Sequence, residues 1–200
     1  MEQKKRKAAL HNLGCKVNAY ETEAMGQLLE EHGYELVSFE EKADVYLINT
    51  CSVTNMADRK SRQMLHRAKK QNPDAVIVAA GCYVQGSAKE ILERGDADLV
   101  IGNNQKARLP ELLKTFFEDP EPEQAVVDLS HASKYELMTL KRTAEHTRAF
   151  IKIQDGCNQF CSYCIIPYMR GRIRSRALSD ILSEVENLAA QGYKEVVLTG

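Results

Sequence analysis

Three cysteines lie close together in the second half of the sequence and form the group best suited to chemistry. Cys157, Cys161 and Cys164 have the spacing C-x3-C-x2-C and follow a short apolar segment, residues 150–153. A loop this short turns three sulfurs toward one point, whereas closed iron–sulfur sites and structural zinc sites take four protein ligands. The motif therefore predicts a metal cluster with one position open to a non-protein group. The alternatives are a zinc site with a distant fourth ligand and reduced core cysteines.

The other three cysteines are far apart in the sequence but share one topological position. Cys15, Cys51 and Cys82 each come two or three residues after a predicted apolar strand. In an open parallel sheet the carboxyl ends of the strands form one edge, where ligands bind. We therefore expect a second three-cysteine site, again one ligand short of closed coordination. The alternative is three unrelated buried cysteines, which are common in protein cores.

The elements that must position these cysteines alternate between strand and helix. Continuous apolar strands of this kind are buried on both faces, so the pattern predicts an α/β fold: an open parallel sheet with helices on both faces. The predicted strands are 7–13, 45–48, 75–80 and 98–101, and the predicted helices are 21–32, 58–71, 87–94 and 108–117.

The chain divides into three predicted parts. Residues 1–117 form the sheet domain, and residues 118–147 form a linker that is acidic and rich in proline at its start, with a possible short strand at 126–129. Residues 148–200 form a strand, the cysteine loop, a helix at 179–191 and a strand at 195–198, which is the start of a β/α barrel. Because two strands cannot close a barrel, we expect a continuation of the chain or a partner to complete it.

Composition limits the classes of protein to consider. The chain has 200 residues, 44% of them hydrophobic and 28% charged, which suits a soluble protein with a proper core. A net charge of −1 gives no overall nucleic-acid-binding surface. No apolar run approaches the roughly 20 residues of a membrane span, and the basic start lacks the apolar stretch of a signal peptide. We expect no membrane contact and a cytoplasmic protein, in which six cysteines stay reduced and available for metal or redox chemistry.

The cysteine segments resemble the radical S-adenosylmethionine methylthiotransferases over nearly the whole chain. Two groups of three cysteines in this order, with these flanking residues, are far more specific than one C-x3-C-x2-C motif. The segments that carry the resemblance are 13–18 (LGCKVN), 49–53 (NTCSV), 81–85 (GCYVQ) and 154–167 (QDGCNQFCSYCIIP), with 170–172 (RGR) after them.

The resemblance implies two [4Fe–4S] clusters. One, on Cys157, Cys161 and Cys164, would bind S-adenosylmethionine and cleave it to a 5′-deoxyadenosyl radical. The other, an auxiliary cluster on Cys15, Cys51 and Cys82, would supply the sulfur that is transferred, and a second S-adenosylmethionine would supply the methyl group. An electron donor and a sulfur donor, neither identified by the sequence, are implied as partners.

The first cysteine segment, with Tyr20 and Glu21 after it, most resembles the branch that acts on tRNA. That branch converts N6-threonylcarbamoyladenosine beside the anticodon into its 2-methylthio derivative. The alternatives are the same chemistry on isopentenyladenosine in tRNA or on a ribosomal-protein aspartate. An alternative from another class is a non-catalytic iron–sulfur or zinc protein used for binding or electron transfer.

Few residues besides the cysteines are candidates for the site, and none is assigned a catalytic role. Tyr163, beside the last cysteine of the motif, is expected to shield the cluster or contact the cofactor, or simply to pack. Arginines alternate over seven residues and could meet tRNA phosphates or the cofactor carboxylate, with Arg170 and Arg172 as the cofactor-binding candidates. The alternative is a solvated loop or arginines paired with acids. The four arginines are Arg170, Arg172, Arg174 and Arg176.

Overall fold

The first domain is an α/β fold built on one parallel sheet. The computed structural model describes residues 5–141 and 148–200; the start of the chain up to residue 4 and residues 142–147 of the predicted linker lie outside the described ranges. The sheet has six strands in the order β2-β1-β3-β4-β5-β6, and every neighbouring pair is parallel. The strands are β1 (Lys7–Asn12), β2 (Glu35–Val37), β3 (Val45–Thr50), β4 (Val76–Gly81), β5 (Leu99–Ile101) and β6 (Glu123–Ala125).

Helices cover both faces of this sheet, which confirms the predicted fold class. They are α1 (Lys16–Glu31), α2 (Asn55–Gln71), α3 (Cys82–Glu93) and α4 (Leu109–Glu118). Successive side chains of a strand point to opposite faces. Val45 and Leu47 of β3 therefore pack with α1 and α4, while Tyr46 and Ile48 pack with α2 and α3. Because both faces are buried, the central strands are apolar at nearly every position.

Two helices begin five residues earlier than predicted, and in both cases a cysteine stands at the start. Helix α1 begins at Lys16 rather than at residue 21, because polar Asn18 and Glu21 lie on its buried face and interrupt the apolar pattern. Helix α3 begins at Cys82 rather than at residue 87. Its backbone leaves helical geometry at Ser87 (φ −139°, ψ 22°), so the predicted helix is only its second part.

The segment predicted as a linker takes part in the first domain. Its strand is β6, at Glu123–Ala125, rather than the predicted 126–129, and β6 pairs with β5 at the edge of the sheet. Met138 and Leu140 are buried in the same core as α1 and α4. A linker would be exposed over its length, whereas these apolar residues bind the segment to the sheet domain.

The last part of the chain has the predicted strand–loop–helix–strand order. Strands β7 (Arg148–Lys152) and β10 (Glu195–Thr199) are parallel neighbours. Leu188 of α6 (Leu178–Ala190) packs on Ala149 and Ile151 of β7. A small antiparallel pair, β8 with β9, follows β7. No helix in the described ranges is long and apolar enough to cross a membrane. The elements are β7 (Arg148–Lys152), β8 (Gln154–Asp155), α5 (Ile166–Arg170), β9 (Arg174–Ser175), α6 (Leu178–Ala190) and β10 (Glu195–Thr199).

Candidate functional site

The three cysteines of the first domain follow three adjacent strands of the sheet. Cys51 comes directly after β3 and Cys82 directly after β4, while Cys15 comes three residues after β1. Strands β1, β3 and β4 are parallel neighbours, so their carboxyl ends meet at one edge. Cys51 and Cys82 are buried, each about 3% exposed, and Cys15 is exposed. The fold therefore brings the three predicted residues to a common edge, which we call the first cysteine site.

Close backbone packing holds the first two loops of this site together. Asn18 Nδ2 donates to the carbonyl of Leu13 at 2.7 Å and to that of Thr50 at 2.9 Å. Gly14 has φ +103°, and a Cβ atom built on it would lie 2.7 Å from Cys51 Sγ. Only a residue without a side chain leaves room for that sulfur. The loops before Cys15 and Cys51 are thus fixed to one another by a single amide and one glycine.

The first cysteine site lies in a positive local field. Cys15 is the N-cap of α1, and Cys82 is the first residue of α3. The N-terminus of a helix carries a partial positive charge, which favours a thiolate or an anionic cluster. Burial is the main cause that raises the pKa of Cys51, with smaller contributions from Cys82 and Cys15, whereas Arg170 acts in the opposite direction. Cys15 and Cys82 are therefore close enough to Cys51 to affect the pKa of its thiol.

We predict that Gly14→Ala lowers the free energy of unfolding by more than the strain of its positive φ alone would cause, because it also disturbs the first cysteine site. The added methyl group meets Cys51 Sγ in addition to the strain of a positive φ, which costs about 1–3 kcal/mol. Urea unfolding should show a loss of roughly 3 kcal/mol, accompanied by a lower iron content.

Gly33→Ala is the matched control for this prediction. Gly33 also has a positive φ, +86°, but a Cβ there meets no heavy atom within 4 Å in the described part of the chain. This variant should lose only about 1–2 kcal/mol and keep its iron. Equal losses of stability and iron in the two variants would contradict a role for Gly14 in fitting the sulfur.

The C-x3-C-x2-C loop is shaped by the backbone on either side of it. Cys157 N donates to the carbonyl of Gly171 at 3.0 Å, and Cys164 N donates to that of Cys161 at 2.9 Å. Gly156 has φ +79°, and a Cβ atom there would overlap the carbonyl oxygen of Gly171 at 2.6 Å. Cys161 is exposed, while the other two cysteines are half-buried. The loop therefore turns back on itself and is anchored at its first cysteine.

Aromatic residues around this loop are exposed. The side chain of Tyr163 is 91% exposed, so its predicted contact with the cofactor stays a prediction. Phe160 has φ +47°, unusual for a bulky residue, and its ring lies 5.8 Å from the ring of Tyr168. The guanidinium of Arg172 lies 4.9 Å from the centre of the Phe160 ring. Arg172 is thus at the surface beside the loop, and its role with the cofactor also stays a prediction.

Three of the four arginines do not form the exposed strip that contact with tRNA phosphates would need, and the predicted contact of Arg170 with the cofactor carboxylate stays a prediction. Arg170, Arg174 and Arg176 are 4%, 2% and 5% exposed and pair with carboxylates. The alternative of acid-paired arginines describes them instead. The alternating sequence suggested one exposed edge, but Arg170 ends α5, Arg174 begins β9 and Arg176 follows β9, and all three side chains are buried.

The buried arginines belong to a network that joins the two parts of the chain, which we call the junction network. Glu21 of α1 binds Lys152 of β7 at 2.6 Å and Arg170 of α5 at 2.9 Å, and it also pairs with Lys106. Asp155, two residues before Cys157, binds Lys152 at 2.7 Å and Arg170 at 2.9 Å. One set of charges thus connects the helix that follows Cys15 with the segment that leads into the second cysteine group.

Charge pairing in this network outweighs the cost of burial. Burial alone would raise the pKa of Glu21, but Arg170, Lys106 and Lys152 hold it well below its usual range. Burial would likewise raise the pKa of Asp155, and Arg170 and Lys152 lower it. For Lys152, burial would lower the pKa, and Glu21 and Asp155 raise it. All of these groups are therefore charged in the folded protein at neutral pH.

A second group of contacts extends the junction network. The hydroxyl of Tyr20 donates to the carbonyl of Met138 at 2.6 Å and lies 3.1 Å from the carboxylate of Glu184 in α6. Glu184 also pairs with Arg176. The roles of Tyr20, Glu184 and the rest of the junction network were not predicted from the sequence. The pattern that could have indicated them is the presence of polar Asn18 and Glu21 on the apolar face of α1.

The residues of both sites fit a thiolate-bound cluster, although neither set is closed. In the described residues, no three His, Cys, Asp or Glu side chains are arranged to hold a metal ion together. All six cysteines, each within the described ranges, are free thiols. The space beside Cys51 that a Cβ at Gly14 would fill, the positive helix ends and a buried arginine suit an anionic iron–sulfur group. The described residues supply three sulfurs to each site and leave a position for a further ligand.

Two family profiles match the chain and together span most of it. Residues 7–102 match the profile described as uncharacterized protein family UPF0004, and residues 151–200 match the radical SAM superfamily. The first region carries Cys15, Cys51 and Cys82, and the second carries the C-x3-C-x2-C loop. A radical SAM domain implies a [4Fe–4S] cluster and S-adenosylmethionine.

Curated relatives resemble the chain over almost all of its length. Threonylcarbamoyladenosine tRNA methylthiotransferase MtaB of Bacillus subtilis is 47% identical over 96% of this chain, and that of Aquifex aeolicus is 43% identical over 97%. A tRNA-2-methylthio-N(6)-dimethylallyladenosine synthase of Enterobacter is 41% identical over 98%. The chain spans 43%, 47% and 42% of the lengths of these three relatives, which is less than half of each.

The solved structure of the radical S-adenosylmethionine methyltransferase TsrM from Kitasatospora setae shares the fold. Its TM-score is 0.63 and it matches 97% of this chain and 47% of its own chain, at 16% sequence identity. Identity this low supports the fold alone. The two profiles follow one another along the chain, and each contains one of the two groups of three cysteines. The curated relatives at 41–47% identity all have names that describe methylthio modification of tRNA. Residues 151–200 thus match the radical SAM superfamily, and the chain as a whole is similar to the tRNA methylthiotransferases named above.

Proposed function

We propose that this protein is a tRNA methylthiotransferase that acts on N6-threonylcarbamoyladenosine next to the anticodon and forms its 2-methylthio derivative. The observation that carries the proposal is the pairing of two three-cysteine groups through one buried network. A protein that only transfers electrons needs no position open to substrate, whereas sulfur transfer onto an unreactive carbon needs both a radical source and a sulfur source. The names of the relatives at 47% and 43% identity support the same reaction.

In this proposal each cysteine group holds one [4Fe–4S] cluster. Cys157, Cys161 and Cys164 would hold the cluster that binds S-adenosylmethionine. The first cysteine site would hold the auxiliary cluster. When bound, these groups supply the radical that removes a hydrogen from the adenine ring and the sulfur that replaces it, which is chemistry that belongs to the cofactors.

The chain's own residues position and protect these groups. The first cysteine site buries Cys51 and Cys82, which excludes water from two of its sulfurs. The junction network fixes α1 against β7 and α5 through Glu21, Lys152 and Arg170. The two cysteine groups are therefore held at a set separation without help from the cofactors, as reactions between two bound groups require.

The choice of substrate rests on the relatives and on the residues after the first cysteine. Relatives that act on dimethylallyladenosine are 39–41% identical, only slightly less similar than those that act on threonylcarbamoyladenosine. Tyr20 and Glu21, which suggested the branch, are buried at the junction and bind Glu184, Lys152 and Arg170. They therefore act through the packing of the two domains rather than by contact with the modified base.

We expect the protein, expressed at the full length of its gene and reconstituted anaerobically, to bind about eight irons per chain, as two [4Fe–4S] clusters require. Electron paramagnetic resonance spectra of the reduced protein should change when S-adenosylmethionine is added, and 5′-deoxyadenosine should form. Tightly bound zinc, or two clusters that do not respond to S-adenosylmethionine, would support a non-catalytic metal protein and contradict the proposal.

The substrate is tested by mass spectrometry of tRNA nucleosides from a strain that lacks the gene. We expect the 2-methylthio derivative of threonylcarbamoyladenosine to disappear, its unmodified precursor to accumulate, and the wild-type gene to restore it. The 2-methylthio derivative of isopentenyladenosine in the same sample is an internal control and should not change. If it is lost instead, the substrate is isopentenyladenosine.

A further inference from the structure

The junction between the two parts of the chain buries more positive than negative charge. A buried charge without a partner is costly, so an excess of this kind calls for a neighbouring anion. Among the described residues that are fully buried at the junction the excess is two positive charges, and the partly buried carboxylate of Glu136, near Lys106 and Lys152, reduces it to one. The buried cations at the junction are Lys106, Lys152, Arg170, Arg174 and Arg176, and the buried carboxylates are Glu21, Asp155 and Glu184.

Arg170 is directed toward the loops of the first cysteine site. Its Nη2 donates to Asn18 Oδ1 at 2.7 Å, and its Nη1 donates to Glu21 and Asp155, each at 2.9 Å. Asn18 in turn donates to the carbonyls of Leu13 and Thr50, which lie just before the first two cysteines. One guanidinium is therefore a single hydrogen-bonded residue away from two of the three cysteine loops.

The third loop is reached through a neighbouring amide. Asn103 Nδ2 lies 3.5 Å from Cys82 Sγ and donates to the carbonyl of Met169, the residue before Arg170, at 2.8 Å. Burial alone would lower the pKa of Arg170. Glu21 and then Cys82 are the neighbours that raise it most, ahead of Asp155. The sulfur of Cys82 thus lies within hydrogen-bonding distance of the Asn103 amide, and the guanidinium of Arg170 is near enough to interact with it.

We propose that Arg170 and Asn103 are positioning residues that set the reduction potential of the cluster held by Cys15, Cys51 and Cys82. Arg170 supplies a fixed positive charge and Asn103 supplies an N–H donor to sulfur. Reduction adds negative charge to a cluster, so both groups stabilise its reduced form and raise its potential. This inference rests on the proposed function, because it requires a cluster at the first cysteine site.

The carboxylates around Arg170 explain why its charge stays in place. Glu21 and Asp155 hold one edge of the guanidinium, and Asn18 holds the other. The planar guanidinium matches several acceptors at once, which a lysine ammonium does not. The residue is therefore fixed in position as well as in charge, so its effect on the cluster does not depend on side-chain motion.

The test isolates the first cluster and measures its midpoint potential. In the full-length protein, alanines replace Cys157, Cys161 and Cys164, and the remaining cluster is titrated by electron paramagnetic resonance. We expect Arg170→Gln to make the midpoint potential more negative, Asn103→Ala to do so by a smaller amount, and Arg170→Lys, which keeps the charge, to stay near the parent.

Arg176→Gln is the matched control. It removes another buried guanidinium from the same junction, one whose partners are Glu184 and Tyr20 rather than the cysteine loops. Its thermal stability should fall while the midpoint potential stays unchanged. An equal shift in this variant would overturn the assignment to Arg170, because any loss of charge at the junction would then have the same effect.

The remaining outcomes separate the two proposals. If Arg170→Gln does not fold, Asn103→Ala, which removes no charge, decides the question: a more negative potential supports the inference and an unchanged one overturns it. If the parent binds a cluster but no variant shifts its potential, the inference fails and the proposed function stands. If the parent binds no cluster, both fail.

Discussion

Replacing Cys157 with alanine is expected to abolish the formation of 5′-deoxyadenosine, with iron falling from about eight to about four per chain. Cys157 is the anchored member of its loop, since its backbone N–H donates to Gly171 and the preceding glycine cannot accept a side chain. Without its thiolate, two ligands remain in a loop open to solvent, too few to hold the cluster. Anaerobic assays by liquid chromatography and mass spectrometry measure the product.

Cys51→Ala is the matched comparison, because it removes one thiolate from the other site. It should lose a similar amount of iron yet still form 5′-deoxyadenosine, while the methylthiolated product disappears. The two variants therefore fail at different steps, and each controls for general damage in the other. Full methylthiolation by the Cys51 variant would remove the first cysteine site from the reaction.

We expect Glu21→Gln to lower the free energy of unfolding by roughly 3–5 kcal/mol, the range for breaking a buried ion pair by removing one partner. Glu21 is 1% exposed and pairs with Lys106, Lys152 and Arg170. The neutral amide leaves three buried cations with less compensation, and its N–H₂ group faces donors. Chemical denaturation followed by circular dichroism measures the loss.

Glu31→Gln is the control on the same helix. Glu31 pairs with Lys141 at 2.7 Å, but these side chains are 42% and 74% exposed. Exposed pairs contribute about 0–1 kcal/mol, so this variant should be close to the parent. Comparable losses in the free energy of unfolding of the two variants would show that burial does not determine how much the junction network contributes to stability.

The pH dependence of stability gives a second measurement on the same residue. The pKa of Glu21 in the folded protein is well below its ordinary value of 4.5. The unfolded chain therefore takes up a proton first as pH falls, and the contribution of Glu21, complete above about pH 5, is lost as pH falls through the lower folded pKa. The acid-induced loss should be smaller in Glu21→Gln.

The parts of the fold that were predictable are those decided by local patterns. Strands β3 and β4 are continuous apolar runs because helices cover both of their faces, and their positions agree with the prediction. Strand β2 was not predicted, because it has only three residues, Glu35–Val37, at an edge of the sheet with two of them exposed. Short edge strands form through pairing with a neighbour, here β1, and leave little pattern of their own.

The junction network was not predictable, because its partners are distant in the sequence. Arg170 and Glu21 are separated by 149 residues, and Lys106 and Glu21 by 85. No periodicity connects such positions, and a charged residue usually indicates a solvated surface. The cysteines were easier to interpret, since spacing and position after strands are properties of the sequence. Whether an arginine lies at the surface depends on the packing of β9 and α5, which the sequence alone does not specify.

The ion pairs that join α1 to β7 and α5 also bear on how such proteins can be recombined. The two profile matches, at residues 7–102 and 151–200, suggest units that could be exchanged between relatives. The junction depends on pairing between Glu21 of the first unit and a charged group in the second, which consists of Lys152, Arg170 and Asp155. We therefore expect these residues to be retained or replaced together. A hybrid that takes its first domain from a relative should fold only if that relative supplies a carboxylate at the position of Glu21. Solubility of hybrids with and without it measures this compatibility.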